Sequence, residues 1–360
     1  YNNVLNLYQQ KRYNEALDLA KNLLKIHSKS YQLLNLLGII SLKLQDLISA
    51  KSYFKSCITA NPNFVHSYHH LGLIHANMKE FEKAFKYYRD AIKLDPNYAE
   101  CYKSLGKACK ELNQPYEAIN YFNKAFEINN KDVGSLNSIA LILKYYEKYN
   151  EAIEYFDKAI SIQPNHVLYG NRGNTKARLG DFDGALEDFN IALRYNNKSA
   201  EIYNNIGSAL NEKGMPSEAL PFLKKALQFK DNYADAYNNL GIANEFLKNK
   251  DESIKYFKKA LEFDPTNDDA STFLSYYHFT RGEYDLFKKR YRSRLFKRKH
   301  CEAIPLNIAK PFYEAESLKN KNIVVYDEQG IGDEIFFIGL LEEFKKKVSN
   351  KITIVCSDRA

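Results

Sequence analysis

The sequence contains no tryptophan, few cysteines and no long apolar run. Its five cysteines include no Cys-x-x-Cys pair and are odd in number, so we expect reduced thiols in a cytoplasmic protein rather than a disulfide framework. No apolar stretch approaches the roughly 20 residues that span a bilayer, so no membrane partner is expected. The chain begins at Tyr1, so an upstream targeting signal would not be visible.

Positive charge is in excess only locally. The net charge is +8, but residues 288–299 alone contain eight bases and no acid. Nucleic acid is therefore not expected as a partner for the rest of the chain. Within the basic segment, Phe287, Tyr291 and Leu295 form an apolar stripe at i, i+4 and i+8. We interpret it as a closing helix with one buried and one solvated side; binding of phosphate, RNA or a membrane surface is the alternative.

A 34-residue period fills most of the chain. A small residue recurs near the middle of a helical pattern, at Gly38, Gly72, Gly106, Ala140, Gly173, Gly207 and Gly241. Sixteen residues after each comes an aromatic residue or leucine. Glycine and alanine let two antiparallel helices approach closely, and the large side chain fills the space beside them. The step from Ala140 to Gly173 is one residue short.

This pattern resembles the tetratricopeptide repeat (TPR) and covers residues 1–298. It implies about nine units, of which the first is partial and the last is a degenerate capping unit. The resemblance predicts a mostly α protein in which a right-handed TPR α-solenoid has a concave inner surface. In the unit 133–165, the missing residue predicts a local change of superhelical pitch.

Three asparagines share one position in consecutive units, two residues before the glycine: Asn171, Asn205 and Asn239. A carboxamide both donates and accepts, so such a row can pair with the backbone of an extended polypeptide lying in the concave groove. The row is similar to the asparagine ladder in the TPR domains of protein O-linked N-acetylglucosamine transferases. Solvated asparagines in an asparagine-rich chain are the alternative.

Three histidines crowd one first helix, at His66, His69 and His70. Helical spacing of three or four can bring two imidazoles to one metal ion, but no carboxylate or thiol pair lies nearby in the sequence. We therefore predict no metal site and interpret the histidines as polar residues of the inner surface.

The chain after the array has a different pattern. Residues 322–326 predict a buried strand, 335–348 an amphipathic helix and 351–356 a second strand. Strand, loop, helix and strand make a βαβ unit with parallel strands, a partial α/β segment of Rossmann-like type. Such a sheet needs more strands, so we expect the domain to continue beyond Ala360.

A glycine-containing loop follows the first of these strands. Gly330 and Gly332 match the first two glycines of a dinucleotide-binding fingerprint, but Ile335 takes the third position. Asp333 would also place a negative charge where a pyrophosphate binds. Nucleotide binding by this loop is therefore kept only as an alternative.

The junction resembles that of bacterial proteins in which TPR arrays precede a two-lobed (B-type) glycosyltransferase domain. The resemblance rests on Tyr291 and Arg294, a linker with Pro305 and 311–313, and the run Glu-Gln-Gly-x-Gly-Asp at 328–333. It implies three parts: a TPR superhelix over 1–298, a linker over 299–321 and an incomplete transferase-like domain over 322–360.

The Gly-Asp pair is similar to that of heptosyltransferases, in which the aspartate activates the acceptor. Carried over, Asp333 becomes a candidate base, and the cleft would be lined by Glu328, Gln329, Gly330 and Gly332. A carboxylate in that place can take the proton of an attacking hydroxyl. A helix N-cap is the alternative role for Asp333.

Two functions follow from these patterns. The first is a polypeptide-binding TPR scaffold that forms the N-terminal part of a glycosyltransferase using a nucleotide-sugar donor. The donor belongs in a further lobe, so this chain alone would bind and not catalyse. The alternative is a non-enzymatic TPR adaptor; another enzyme joined to TPRs, such as a sulfotransferase, is more distant.

Overall fold

The computed structural model describes residues 1–281, residue 283 and the strands 321–326 and 349–355. These residues form seventeen helices and two strands. The helices are α1 Asn2–Gln9, α2 Tyr13–Ile26, α3 Tyr31–Lys43, α4 Leu47–Ala60, α5 Val65–Asn77, α6 Phe81–Leu94, α7 Ala99–Glu111, α8 Pro115–Ile128, α9 Val133–Tyr145, α10 Tyr149–Ile162, α11 His166–Arg178, α12 Phe182–Tyr195, α13 Ala200–Glu212, α14 Pro216–Phe229, α15 Ala234–Phe246, α16 Lys250–Phe263 and α17 Asp268–Thr280. The prediction of a mostly α, TPR-type solenoid is confirmed.

From α3 onwards each repeat pairs a first helix of 13 residues with a second helix of 14 residues. A short turn joins them, and its middle residue adopts a left-handed backbone conformation in every complete repeat. Glycine provides this conformation at Gly180 and Gly214. The other turns use residues with side chains at φ of 56° to 62°, namely Lys11, Gln45, Lys79, Asn113, Glu147 and Lys248.

The small residue of each first helix touches the large residue of its second helix. A Cβ added to Gly72 would lie 2.3 Å from the Tyr88 ring, and one added to Gly241 would lie 2.6 Å from the Phe257 ring. Tyr88 is fully enclosed, and Phe257 is 2% exposed. The predicted close approach of the paired helices is therefore confirmed, because no room is left between backbone and ring for a methyl group.

One repeat replaces part of its apolar core by ions. Arg172 stands where the neighbouring repeats have leucine or isoleucine, and Asp188 stands where they have tyrosine or phenylalanine. Arg172 donates to both carboxylate oxygens of Asp188, at 2.8 and 2.5 Å, and also to Asp157 on α10 at 2.5 Å. Lys176 adds a second cation 3.1 Å from Asp188, which is 1% exposed.

The one-residue deletion lies in the turn between α10 and α11. The Asn165 side chain closes this shortened turn by accepting hydrogen bonds from the amides of Val167 and Leu168. Asparagine is among the preferred residues at a helix N-cap. The consequence for superhelical pitch stays a prediction.

The chain divides into two compact units, Tyr1–Lys230 and Asp231–Ala360. The first contains α1 to α14, and consecutive helices in it pack against each other. In the second, α16 packs against both α15 and α17, where the rings of Phe257 and Phe273 stack with centroids 4.8 Å apart. None of the described helices has the length and apolar character needed to cross a membrane.

Two strands, β1 Lys321–Tyr326 and β2 Ser349–Val355, pair in parallel. Ile323 lies opposite Ile352, and Val325 opposite Ile354. The predicted helix at 335–348 and the basic segment at 288–299 lie outside the described residues, so the Rossmann-like segment and the basic capping helix stay predictions.

Candidate functional site

The first helices of the first unit carry many polar side chains on one common side, mixed with apolar ones such as Leu36, Ile39 and Leu42 on α3. We call it the first-helix face; it consists of the side chains at the fifth, sixth, ninth, twelfth and thirteenth positions of α3, α5, α7, α9, α11 and α13. These positions fall on one side of a helix with 3.6 residues per turn. Two of the predicted asparagines, Asn171 and Asn205, occupy its sixth position on α11 and α13 and are half-buried. Asn239 is half-buried at the sixth position of α15, in the second unit.

Asn171 is not isolated on this face. Its Nδ2 donates to Oδ1 of Asn137 on α9 at 3.0 Å. The sequence comparison by glycine phase missed Asn137, because the deletion after α10 shifts the neighbour of Asn171 from the sixth to the fifth position of the preceding first helix. A plain count of 34 residues back from Asn171 would have found it.

Several enclosed polar atoms of the first-helix face have no hydrogen-bond partner among the described residues. They are Oδ1 of Asn35, Nδ1 of His70 and Nδ2 of Asn205. All three occur at the fifth or sixth position of a first helix. Buried polar groups are normally paired, so these three atoms at equivalent positions are candidate contacts for a polar ligand.

The histidines of α5 form a hydrogen-bonded network with the next repeat. His66 Nδ1 lies 3.0 Å from the Tyr98 hydroxyl, and His69 Nε2 lies 2.9 Å from Ser104 Oγ. Burial, reinforced by neighbouring imidazoles, lowers the pKa of His69 and of His70 to about 4. Both are therefore neutral near pH 7. The described residues contain no group of three ligands arranged to hold a metal ion.

The edge of the first-helix face is basic. Lys110 and Lys144 occupy the twelfth positions of α7 and α9, and Arg178 the thirteenth position of α11. Burial lowers the pKa of Lys144, and Arg178 lowers it further, while Glu201 acts in the opposite direction. A cavity of about 250 Å³ opens here, lined by Leu141, Lys144, Tyr145, Tyr149 and Arg178.

The described cysteines are structural. Cys57, Cys101 and Cys109 are buried and form no disulfide. Burial raises the pKa of all three thiols, that of Cys101 to about 12. A buried thiol with a raised pKa is a poor nucleophile, so none of these three is a candidate for catalysis.

The predicted loop residues of the second site lie outside the described residues: Glu328, Gln329, Gly330, Gly332 and Asp333. Strand β1 ends at Tyr326, shortly before them. Their roles as a candidate base and as cleft residues stay predictions.

Family models described as tetratricopeptide repeat match residues 31–64, 64–131, 134–166, 171–234 and 234–267. These matches cover more than half of the chain and end at residue 267. Comparison with curated proteins gives no match.

Solved structures share the fold. A tetratricopeptide repeat protein from Parabacteroides merdae is 18% identical, with a TM-score of 0.53 over 72% of this chain and 98% of that one. PilF from Pseudomonas aeruginosa is 19% identical, with a TM-score of 0.50 over 59% and 96%. The Cut9–Hcn1 hetero-tetramer of APC/C is 21% identical, with a TM-score of 0.51 over 67% of this chain and 48% of that chain. Repeat spacing, helix packing and family models agree: this chain belongs to the tetratricopeptide repeat family.

Proposed function

We propose that the chain is a protein-interaction scaffold whose first-helix face binds an extended polypeptide segment. The observation that carries this proposal is the set of enclosed, unpartnered polar atoms at the fifth and sixth positions of the first helices. An extended backbone offers an amide and a carbonyl at every residue, and such groups are the natural complement of carboxamides.

The asparagines of α9, α11 and α13 indicate where on the first-helix face the polypeptide would bind. Asn137 and Asn171 already join two adjacent first helices by a hydrogen bond. Asn205 continues the row on the next first helix, with an amide nitrogen that has no partner in the described structure. A bound backbone that draws this amide outward would satisfy a group whose burial otherwise costs about 1–3 kcal/mol.

The test is a peptide array probed with the wild-type chain and with the Asn171→Ala/Asn205→Ala variant. Loss of two backbone hydrogen bonds predicts binding about tenfold weaker across peptides of different sequence. The matched control is Asn150→Ala/Asn190→Ala, which changes exposed asparagines on second helices. Equal binding by wild type and the Asn171/Asn205 variant would exclude the row as a binding element. Asn239→Ala is measured separately because Asn239 belongs to the second unit.

A second function is proposed for the segment after the array, namely the start of a glycosyltransferase domain. The parallel pairing of β1 and β2 supports it, since the Glu-Gln-Gly-x-Gly-Asp run lies directly between these strands in the sequence. In this proposal Asp333 takes the proton of the acceptor hydroxyl, Glu328, Gln329, Gly330 and Gly332 line the cleft, and a nucleotide-sugar is the donor substrate.

The full-length protein incubated with labelled nucleotide-sugars tests this second function. Transfer that is lost in Asp333→Asn supports the base assignment, and unchanged turnover eliminates it. If no labelled sugar is transferred by wild type either, the non-enzymatic adaptor is the better description. We further propose a cytoplasmic location, supported by the free thiols of Cys57, Cys101 and Cys109.

A further inference from the structure

Two cavities adjoin each other at the edge of the first-helix face. The first, of about 410 Å³, has Lys110, Glu111, Asn113, Leu141, Tyr145 and Tyr146 among its lining residues. The second is the cavity of about 250 Å³ beside Lys144 and Arg178. Leu141 and Tyr145 line both, so the two cavities meet at these two side chains.

Tyr145 is held in an exposed position by its neighbour. The hydroxyl of Tyr146 donates to Oδ1 of Asn113 in the preceding repeat at 3.1 Å, which fixes the Tyr146 ring. The Tyr145 ring meets that ring edge to face, with centroids 5.2 Å apart, and remains 77% exposed. A large aromatic side chain presented to solvent between two cavities is the kind of residue that anchors protein interfaces.

The charges around Tyr145 identify the partner's chemistry. No ion pair joins Lys110, Lys144 or Arg178 to another residue in the described part of the chain. Lys144 is half-buried beside Arg178, so a cation is partly desolvated next to a like charge. A carboxylate placed beside Lys144 would offset both its partial desolvation and its repulsion by Arg178, because an opposite charge nearby stabilises the protonated lysine.

We propose that Tyr145 and its two flanking cavities form a docking site for an acidic polypeptide segment. One carboxylate of the segment lies between Lys144 and Arg178, and an apolar side chain beside it packs on Tyr145 and Leu141. The inference rests on the proposed function, since it names the chemistry of the polypeptide that the first-helix face binds.

The same features disfavour a nucleic acid at this place. Glu111 lines the larger cavity, and Glu201 on α13 acts on Lys144. A phosphate backbone needs a continuous row of cations, and these two acids interrupt the row. A mixed surface of three cations, two acids and an exposed phenol suits a segment that alternates acidic and apolar residues.

The experiment measures fluorescence anisotropy of labelled peptides of about ten residues with the whole chain. One probe alternates glutamate and leucine between serines, and its matched probe carries glutamine in place of glutamate. The acidic probe is expected to bind about tenfold more tightly, and its advantage should shrink when salt rises from about 50 to about 500 mM.

Variants locate the site. Lys144→Gln/Arg178→Gln should remove the preference for glutamate over glutamine, and Tyr145→Ala should weaken both probes about tenfold. Lys86→Gln/Lys124→Gln removes two exposed lysines of second helices and should leave both probes unaffected.

The outcomes separate this inference from the proposed function. If both probes bind equally and the Asn171/Asn205 variant binds both about tenfold more weakly, the polypeptide-binding face stands and the acidic docking site is wrong. If no peptide of any composition binds, both are wrong. A single-stranded RNA oligonucleotide that displaces the acidic probe at equal concentration would show a general anion surface and overturn the docking site.

Discussion

At the scale of single residues, the turn between paired helices carries a recurring backbone cost. Residues with side chains reach the left-handed region only with strain, whereas glycine does so freely. Two repeats have glycine at this position, at Gly180 and Gly214, and Gln45 illustrates the others with φ of 62°. The 34-residue pattern does not reveal this demand, because the residue type at the position varies from repeat to repeat.

Gln45→Gly is therefore expected to stabilise its repeat by up to about 1 kcal/mol, because removal of the side chain relieves the left-handed strain. The reverse change, Gly180→Gln, should destabilise by a similar amount, and its cause would be the backbone alone because nothing lies within 4 Å of an added Cβ. Local opening free energies from native-state hydrogen exchange measure both. A Gly180→Gln protein as stable as wild type would contradict the account.

Buried histidines make stability depend on pH. His69 and His70 have a pKa of about 4 in the folded chain, below the roughly 6.5 of an unfolded histidine. Between these two pH values, His69 and His70 bind more protons in the unfolded chain than in the folded chain. Their contribution to the free energy of unfolding is therefore complete above about pH 6.5 and is lost as the pH falls towards 4. The loss is about 3 kcal/mol for each histidine.

The check is the free energy of unfolding between about pH 7 and 4.5, compared with that of His69→Gln/His70→Gln. Glutamine keeps a group that can bond to Ser104 but takes up no proton in this range. The variant should lose clearly less stability than wild type as the pH falls. Parallel curves would show that carboxylates elsewhere cause the whole effect.

At the scale of helices, the sequence predicted what all repeats share and missed what one repeat does alone. The spacing of small and large residues identified the paired helices and their contact, since the two helices pack in the same way in every repeat. The role of Arg172 was not predicted, because Arg172 occupies a position that is apolar in the other repeats. Its role as an ion-pair partner depends on its contacts with Asp188 and Asp157, which the repeat pattern does not show. Asn137 was missed for a similar reason, since its contact depends on the deletion in a neighbouring turn.

The ion cluster yields a prediction about α11 and α12. Asp188→Ala should destabilise this repeat by about 3–5 kcal/mol, because it leaves Arg172 and Lys176 beside a buried cavity without their shared carboxylate. Replacing the cluster with the apolar residues of the following repeat, as Arg172→Ile/Lys176→Leu/Asp188→Phe, should restore wild-type stability or exceed it.

Thermal unfolding followed by circular dichroism compares the two variants of this cluster. Asp157→Ala is the matched control: it removes an exposed partner of Arg172 and should cost less than about 1 kcal/mol. A triple variant less stable than Asp188→Ala would show that the ions are needed for packing, and not only for one another.

At the scale of the whole molecule, the described helices of each compact unit contact mainly their neighbours in the sequence within that unit. Such an array behaves as a one-dimensional stack, in which each repeat depends on its own packing and on the two interfaces beside it. The two candidate sites differ in whether the repeat pattern of the sequence predicts them. The asparagine row was predicted because it follows the repeat, whereas the Tyr145 site was not, because it depends on residues of α7, α9 and α11 that do not recur.

The stack predicts that damage to one repeat stays local. Gly72→Ala forces a methyl group to within 2.3 Å of the buried Tyr88 ring, a strain of about 1–3 kcal/mol that exceeds the gain of about 1 kcal/mol in helix propensity. Hydrogen exchange should therefore quicken in α5 and α6 and, less strongly, in α3, α4, α7 and α8. The amides of α11 to α14 should keep their wild-type protection, because α5 and α6 pack chiefly on each other, on α4 and on α7. Uniform loss of protection across the first unit would instead mean that its repeats unfold as a single cooperative body, and the description as a stack of neighbours would fail.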